Sequence, residues 1–311
     1  MPHHAAVSLL ATSGGIPRGI VGALLAAGLA GGAIGLLTML RPRIRGTTLA
    51  SPWLWSLAAI ACLGLVETLL QLRPVGDSPP WIPAARFIFS ALSLCPMVAV
   101  LGAKRPQDRA WHFVVLALWG IVSLPSLMSL LLGRDSPFQL ADLRGLVLWV
   151  LIALPAINYV PTKHYWSAIL VVLGQVILFA PHLPLIGRPI LATDPGLIGL
   201  ACFLAAACVA WQRSSASRAH ESSFDALWRS FRDRFGLFWG LRVQERVNAA
   251  AKQYGWPFYL SWSGFRRADD HAPLPEISAE HRQALTQTLR GLLRRFAAAE
   301  WIAARLPRGI D

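Results

Sequence analysis

Seven stretches of the chain, approximately 20–40, 52–72, 84–102, 111–132, 145–160, 165–180 and 195–211, run almost without charge. A helix pairs its own backbone polar groups, and about 20 apolar residues cross a hydrocarbon core of about 30 Å. Blocks of this length and purity leave few other folds open. Only 14% of the 311 residues are charged and 55% are hydrophobic, against roughly 25% charged in soluble domains. The expected fold is all-α: a polytopic transmembrane bundle of seven spans followed by a small, mainly helical cytosolic domain. The domain reading is an outer tail over 1–19, a membrane domain over 20–211 and a basic C-terminal tail over 212–311. The fifth and sixth blocks are short, and Pro161-Thr162-Lys163-His164 joins them as a tight hairpin.

Loop charge sets the expected orientation. With the N-terminus outside, three short inner loops hold Arg41, Arg43, Arg45, Lys104, Arg105, Arg109 and Lys163. The four outer segments hold six cations over a greater length, so the positive-inside rule favours N-out, C-in, in a bacterial-type inner (cytoplasmic) membrane. Trp53, Trp55, Trp81, Trp111, Trp166 and Trp211 fall near block ends, where an interfacial aromatic belt belongs. Gly28, Gly31, Gly32 and Gly35 give the first span small-xxx-small spacing. Close packing within the bundle is the first reading and self-association the alternative.

Ionisable groups inside spans are costly and mark sites of interest. Glu67 is the one acid well inside a block, and Arg86 sits just inside the facing end of the next. A short loop joins these two spans, so the pair is expected to form an ion bridge near the outer face, more a helix clamp than a catalytic centre. Asn158 and Gln175 are the remaining strong intramembrane polar groups, expected to bond between helices. Histidine spacing gives no haem pair beyond a weak His112–His164 candidate, and no lysine lies in the last span to carry retinal. Cys62, Cys95, Cys202 and Cys208 lie in apolar blocks without CxxC spacing, so neither disulfide nor metal is expected, and no cofactor.

In the tail, Phe224, Leu227, Trp228, Phe231, Phe235, Phe238 and Trp239 share one helical stripe within a basic segment. That pattern predicts a helix over about 223–240 lying on the membrane surface against anionic headgroups, with packing on the tail itself as the alternative. Beyond Gly240 the stripe turns, so Gly236 and Gly240 should mark a bend. Residues 258–262 alternate as a short strand would, and Ser278 should cap a last helix over about 279–305.

No glycine-rich phosphate loop, GxSxG, HExxH or Cys/His metal spacing is present, and nothing points to nucleic acid. The leading functional expectation is a non-catalytic scaffold or accessory/regulatory subunit acting through its cytosolic tail, with a protein partner at that face as one expected contact. The alternatives are a small-solute transporter or channel and a membrane-embedded lipid enzyme using His112, His164 or Glu67 as base.

Overall fold

The computed structural model describes residues 18–73, 79, 81–132, 141–184, 194–215, 224–269, 271–272 and 277–306. The tail expected over 1–19 lies outside them except for its last two residues. The membrane domain consists of α1 (Arg18–Ile44), α2 (Ala50–Gln71), α3 (Trp81–Ala91), α4 (Cys95–Leu101), α5 (Gln107–Leu132), α6 (Ala141–Tyr159), α7 (Tyr165–Phe179) and α8 (Pro195–Ser215). Among the described residues, six helices are long and apolar enough to cross a membrane, with α3 and α4 counting as one. The chain is thus that of a multi-pass membrane protein. The shorter apolar stretch Leu143–Tyr159 corresponds to the fifth of the seven expected spans. A 3-10 turn over Leu92–Leu94 separates α3 from α4, and Pro96 sits in the first turn of α4. Proline is tolerated there because a first-turn N–H has no intrahelical acceptor to lose.

The bundle core combines large side chains such as Leu63, Phe87, Leu148 and Phe179 with a face of small residues on α1. Ala23, Ala26, Ala30 and Ala33 form the buried ridge of α1, and Ala30 packs so close to Gly64 of α2 that a Cβ there would overlap it. Gly19 and Gly22, at the start of α1, are closed in by Gln71 of α2, but the four glycines with small-xxx-small spacing behave differently. Gly28, Gly31 and Gly35 have open space where a Cβ would stand, and of these four only Gly32 meets a neighbour, Leu204 of α8. The expected packing role belongs to the alanines, because they occupy the face turned inward.

The C-terminal domain comprises α9 (Phe224–Tyr254), the antiparallel hairpin β1 (Phe258–Leu260) and β2 (Phe265–Arg267), α10 (Ala279–Leu293) and α11 (Ala299–Ala303). Two sequence expectations change here. Phe265-Arg266-Arg267 supplies a partner strand, and the last helix breaks after Leu293 instead of continuing to 305. Ser278 flanks α10, but its hydroxyl bonds His281 Nδ1 and makes no capping bond.

The domain does not hang from a linker. It grips all three short connections at one end of the bundle. Thr48 N donates to Phe296 O at 2.9 Å and Ala298 N to Gly46 O at 2.6 Å, so the α1–α2 turn pairs with the strip between α10 and α11. Arg105 N donates to Arg295 O at 2.8 Å, and Trp239 Nε1 to Val100 O at 2.9 Å. Trp262 Nε1 reaches Pro161 O at 2.9 Å. Leu49, Met97, Val100 and Ala103 belong to the same buried cluster as Phe231, Phe235, Leu285 and Phe296, so one core spans both parts of the chain.

The expected surface stripe is that core. Phe224, Leu227, Trp228, Phe231 and Phe235 are all buried, with Phe231 and Phe235 fully enclosed, stacked on each other and both T-shaped against Phe296. The stripe therefore faces protein, not headgroups. Trp239 packs against Phe296 as well, while Phe238 stays 39% exposed.

At Gly236 the chain leaves helical geometry, with φ 77° and ψ −164°, while Gly240 remains helical. The break is filled from α6. Asn158 Nδ2 donates to Phe235 O at 3.4 Å, Phe238 N donates to Asn158 Oδ1 at 3.1 Å, and Tyr159 OH donates to Arg234 O at 3.0 Å. Three backbone groups freed by the break thus find partners on one turn of α6, which buried polar groups require. A Cβ at position 236 would overlap the Asn158 carboxamide. Gly236→Ala combines that overlap with a left-handed backbone, whose strain alone costs about 1–3 kcal/mol. Its unfolding temperature should fall, and limited proteolysis should release the C-terminal domain sooner than in the wild type.

Candidate functional site

A cavity of about 420 Å³ lies inside the bundle directly beneath the C-terminal domain. Sites of about 300–1,000 Å³ hold small-molecule ligands. The lower walls are apolar and small: Leu37 and Leu40 of α1, Ala59 and Ile60 of α2, Val171 of α7, and Phe203, Ala206 and Ala207 of α8. Ionisable groups lie only at the tail end: Arg43 on α1, Lys163 and His164 on the α6–α7 connection, and Asp233 and Arg234 on α9. The deepest lining residues are Ile60, Ser93, Gln175 and Phe203. One turn further, Leu63, Phe179 and Leu200 are fully buried and outside the lining. The cavity is blind, with a polar mouth and a greasy shaft.

The mouth is net cationic. Asp233 is the one acid among the described lining residues, and it accepts from Arg232 Nε at 3.0 Å and Nη2 at 2.8 Å. Arg234 Nη1 donates to Ser230 O at 2.8 Å and to the Ser230 hydroxyl, without a carboxylate in ion-pair range among the described residues. Arg43 lies over the Trp211 ring, 4.6 Å from its centroid. Burial is the main cause of the shifts here. It pushes the Arg234 guanidinium down to about 10, with Arg305 contributing in the same direction and Asp233 opposing. The Lys163 ammonium is lowered by burial first, with Asp233 opposing and Arg234, Arg43 and Arg232 lowering it further. His164 falls to about 4 through burial, then through Lys163, with Asp233 again opposing. Each shift reports a charged form short of solvent and of counter-charge.

Deeper down, polar atoms are left open. Gln175, 1% exposed, donates through Nε2 to Ser93 O at 2.9 Å, but its Oε1 has no partner. The hydroxyls of Ser93 and Ser167, both lining the cavity, also lack one. Sequence reasoning singled out Gln175 for its polarity in an apolar helix. It assigned no role to Asp233, Arg234, Ser93 or Ser167, whose meeting depends on how distant segments pack.

The sequence-selected pair lies at the other end of the bundle. Arg86 Nε donates to Glu67 Oε1 at 2.7 Å and Nη2 to Oε2 at 2.8 Å, a two-pronged contact on a fully buried carboxylate. Glu67 also rests against Gly196 in the first turn of α8, where a Cβ would overlap the carboxyl. A helix N-terminus favours a negative group, so Glu67 ties α2, α3 and α8 together. Gln71 Nε2 adds a bond to Asp194 Oδ1 at 2.9 Å. This cluster is a clamp and lies outside the lining of the cavity described above.

Chemical machinery is sparse. His112 accepts from Trp55 Nε1 at 3.2 Å and lies outside the lining, as does Glu67. Among the described residues no nucleophile bonds the His164 ring, and no three His, Cys, Asp or Glu side chains form a metal-sized group. Compared with known proteins, the chain matches no family model, no curated protein and no solved structure.

Two outcomes follow. Glu67→Gln leaves the Arg86 charge without its partner and should cost about 3–5 kcal/mol, as breaking buried pairs does, read from unfolding in neutral detergent. His164 has an ordinary value of 6.5 and a folded value of about 4, so its neutral form contributes stability in full above 6.5. That contribution is lost as pH falls toward 4. The unfolding temperature of the wild type should drop more steeply over this window than that of His164→Gln.

Proposed function

We propose that the protein is a non-catalytic accessory or regulatory membrane protein whose C-terminal domain responds to a ligand held in the bundle. The observation that carries this reading is the position of Asp233 and Arg234. Both belong to α9 and both line the cavity, so an occupant touches the C-terminal domain and the spans together. A ligand with different affinities for two domain positions must shift the balance between them. The blind inner end favours binding over passage across the membrane. The absence of a bonded nucleophile–base pair at His164 among the described residues favours binding over catalysis.

The same reading puts the C-terminal domain in the cytosol and the N-terminus outside, in an inner membrane. Its support is charge: Arg41, Arg43, Arg45, Lys104, Arg105 and Lys163 all belong to the end of the bundle that this domain grips. Arg242 and Arg246 on the exposed side of α9 would then face anionic headgroups or an acidic protein partner.

Hydrogen exchange tests the coupling. Adding membrane lipid extract to the delipidated full chain should slow exchange in 158–164 and 232–239 together. Lipid binding without change in 232–239 would remove the regulatory reading. A C-terminal green fluorescent protein fusion should fluoresce and a C-terminal alkaline phosphatase fusion should be inactive. The opposite pair of results would reverse the orientation.

A further inference from the structure

We propose that the cavity binds a phosphate-bearing lipid of net negative charge, its headgroup held at Lys163, His164 and Arg234 and one chain lowered into the shaft. This inference deepens the reading of the cavity as a binding site and rests on it.

The headgroup chemistry follows from the imbalance at the mouth. Lys163 and Arg234 lack a carboxylate in ion-pair range among the described residues, and Asp233 is engaged by Arg232. Arg234 spends Nη1 on Ser230, which leaves the rest of its fork for a second acceptor. A guanidinium fork beside an ammonium suits phosphate oxygens, which accept several charge-assisted bonds at once. Ser167 lies in the first turn of α7, just beyond His164, and its unpartnered hydroxyl can donate to a phosphate or ester oxygen. The buried, depressed imidazole of His164 regains a reason to hold its proton when an anion lies beside it. A zwitterionic headgroup fits less well, because its cation would enter a mouth already crowded with cations.

The chain follows from the shaft. From His164 to Gln175 is eleven residues of α7, about 16 Å at 1.5 Å per residue. Over that depth the wall is mainly leucine, alanine, isoleucine, valine and phenylalanine. An inorganic anion would leave that wall empty, and a neutral hydrocarbon would leave the mouth uncompensated. One molecule carrying both parts satisfies both. At the bottom, Gln175 Oε1 is a bare acceptor in a buried place, so a chain bearing a hydroxyl at that depth would be preferred over a plain one.

Native mass spectrometry of the full delipidated chain in neutral detergent tests this with phosphatidylglycerol, phosphatidylcholine and inorganic phosphate as probes. The expected result is one retained phosphatidylglycerol per chain, with phosphatidylcholine weaker by roughly tenfold or more and phosphate alone not competing at equal concentration. Lys163→Gln combined with Arg234→Gln should bring phosphatidylglycerol down to the phosphatidylcholine level. Ala207→Phe, which fills the shaft, should abolish both; Val171→Trp replaces it if its unfolding temperature shows that the first variant is not folded. Equal retention of the two lipids, both lost on filling the shaft, would overturn the anionic headgroup while leaving the binding site standing. Phosphatidylglycerol retained undiminished by a folded shaft-filled variant would place the lipid on the outer surface and overturn both. Competition by inorganic phosphate at equal concentration would remove the chain from the proposal.

Discussion

The insertion of Asn158 into the break of α9 organises the rest of the molecule. A helix that stops at one residue leaves carbonyl and amide groups that water cannot reach in a packed interface. Here the carboxamide of one residue serves an acceptor at Phe235 and a donor at Phe238, while Tyr159 serves Arg234. The bond set works only if residue 236 lacks a side chain and if α6 ends where it does. Both halves of α9 are then fixed relative to the bundle: the first half carries its aromatic face into the shared core, and the turn before the break places Asp233 and Arg234 over the cavity.

This arrangement explains why a small C-terminal domain can have so aromatic a core. Phe231, Phe235, Trp239 and Phe296 bury large areas in a few residues, and the core extends into Leu49, Met97 and Val100 at the ends of the spans. Aromatic side chains supply much buried surface per residue. The domain therefore completes its core with residues of the spans, which hold a second buried cluster of their own around Leu63, Leu148, Phe179 and Leu200. The clamp of Glu67, Arg86 and the start of α8 fixes the opposite end, so the cavity lies in the half of the bundle beneath the domain interface.

Much of this architecture is legible in the residues. The long uncharged blocks announce the membrane helices because hydrocarbon demands internal pairing of every backbone group. Glu67 and Arg86 point to each other because adjacent spans joined by a short loop hold them at similar depth. The α9 stripe is legible as a stripe but not as to what covers it: a run of Phe and Trp on one face serves a domain core as well as a headgroup layer, and periodicity is blind to the difference. β2 escapes because Phe265-Arg266-Arg267 offers one apolar residue, too few to alternate. The cavity escapes for a deeper reason. Its walls are ordinary alanines, leucines and serines from six helices, and its mouth combines residues 43, 163 and 234, which only folding brings together. Asp233 and Arg234 lie off the apolar stripe, where sequence pattern suggests solvent.

The central claim is that the break in α9 is held open and oriented by α6. Site-resolved hydrogen exchange on Asn158→Leu in neutral detergent addresses it most directly. Leucine keeps similar bulk and removes both bonds, so the Phe238 amide should lose protection first. Arg232 to Trp239 and the 295–298 strip should follow, while α1, α2 and α8 stay protected. Unchanged protection at Phe238 and through α9 would contradict the account, since the C-terminal domain would then hold its position without the contact assigned to fix it.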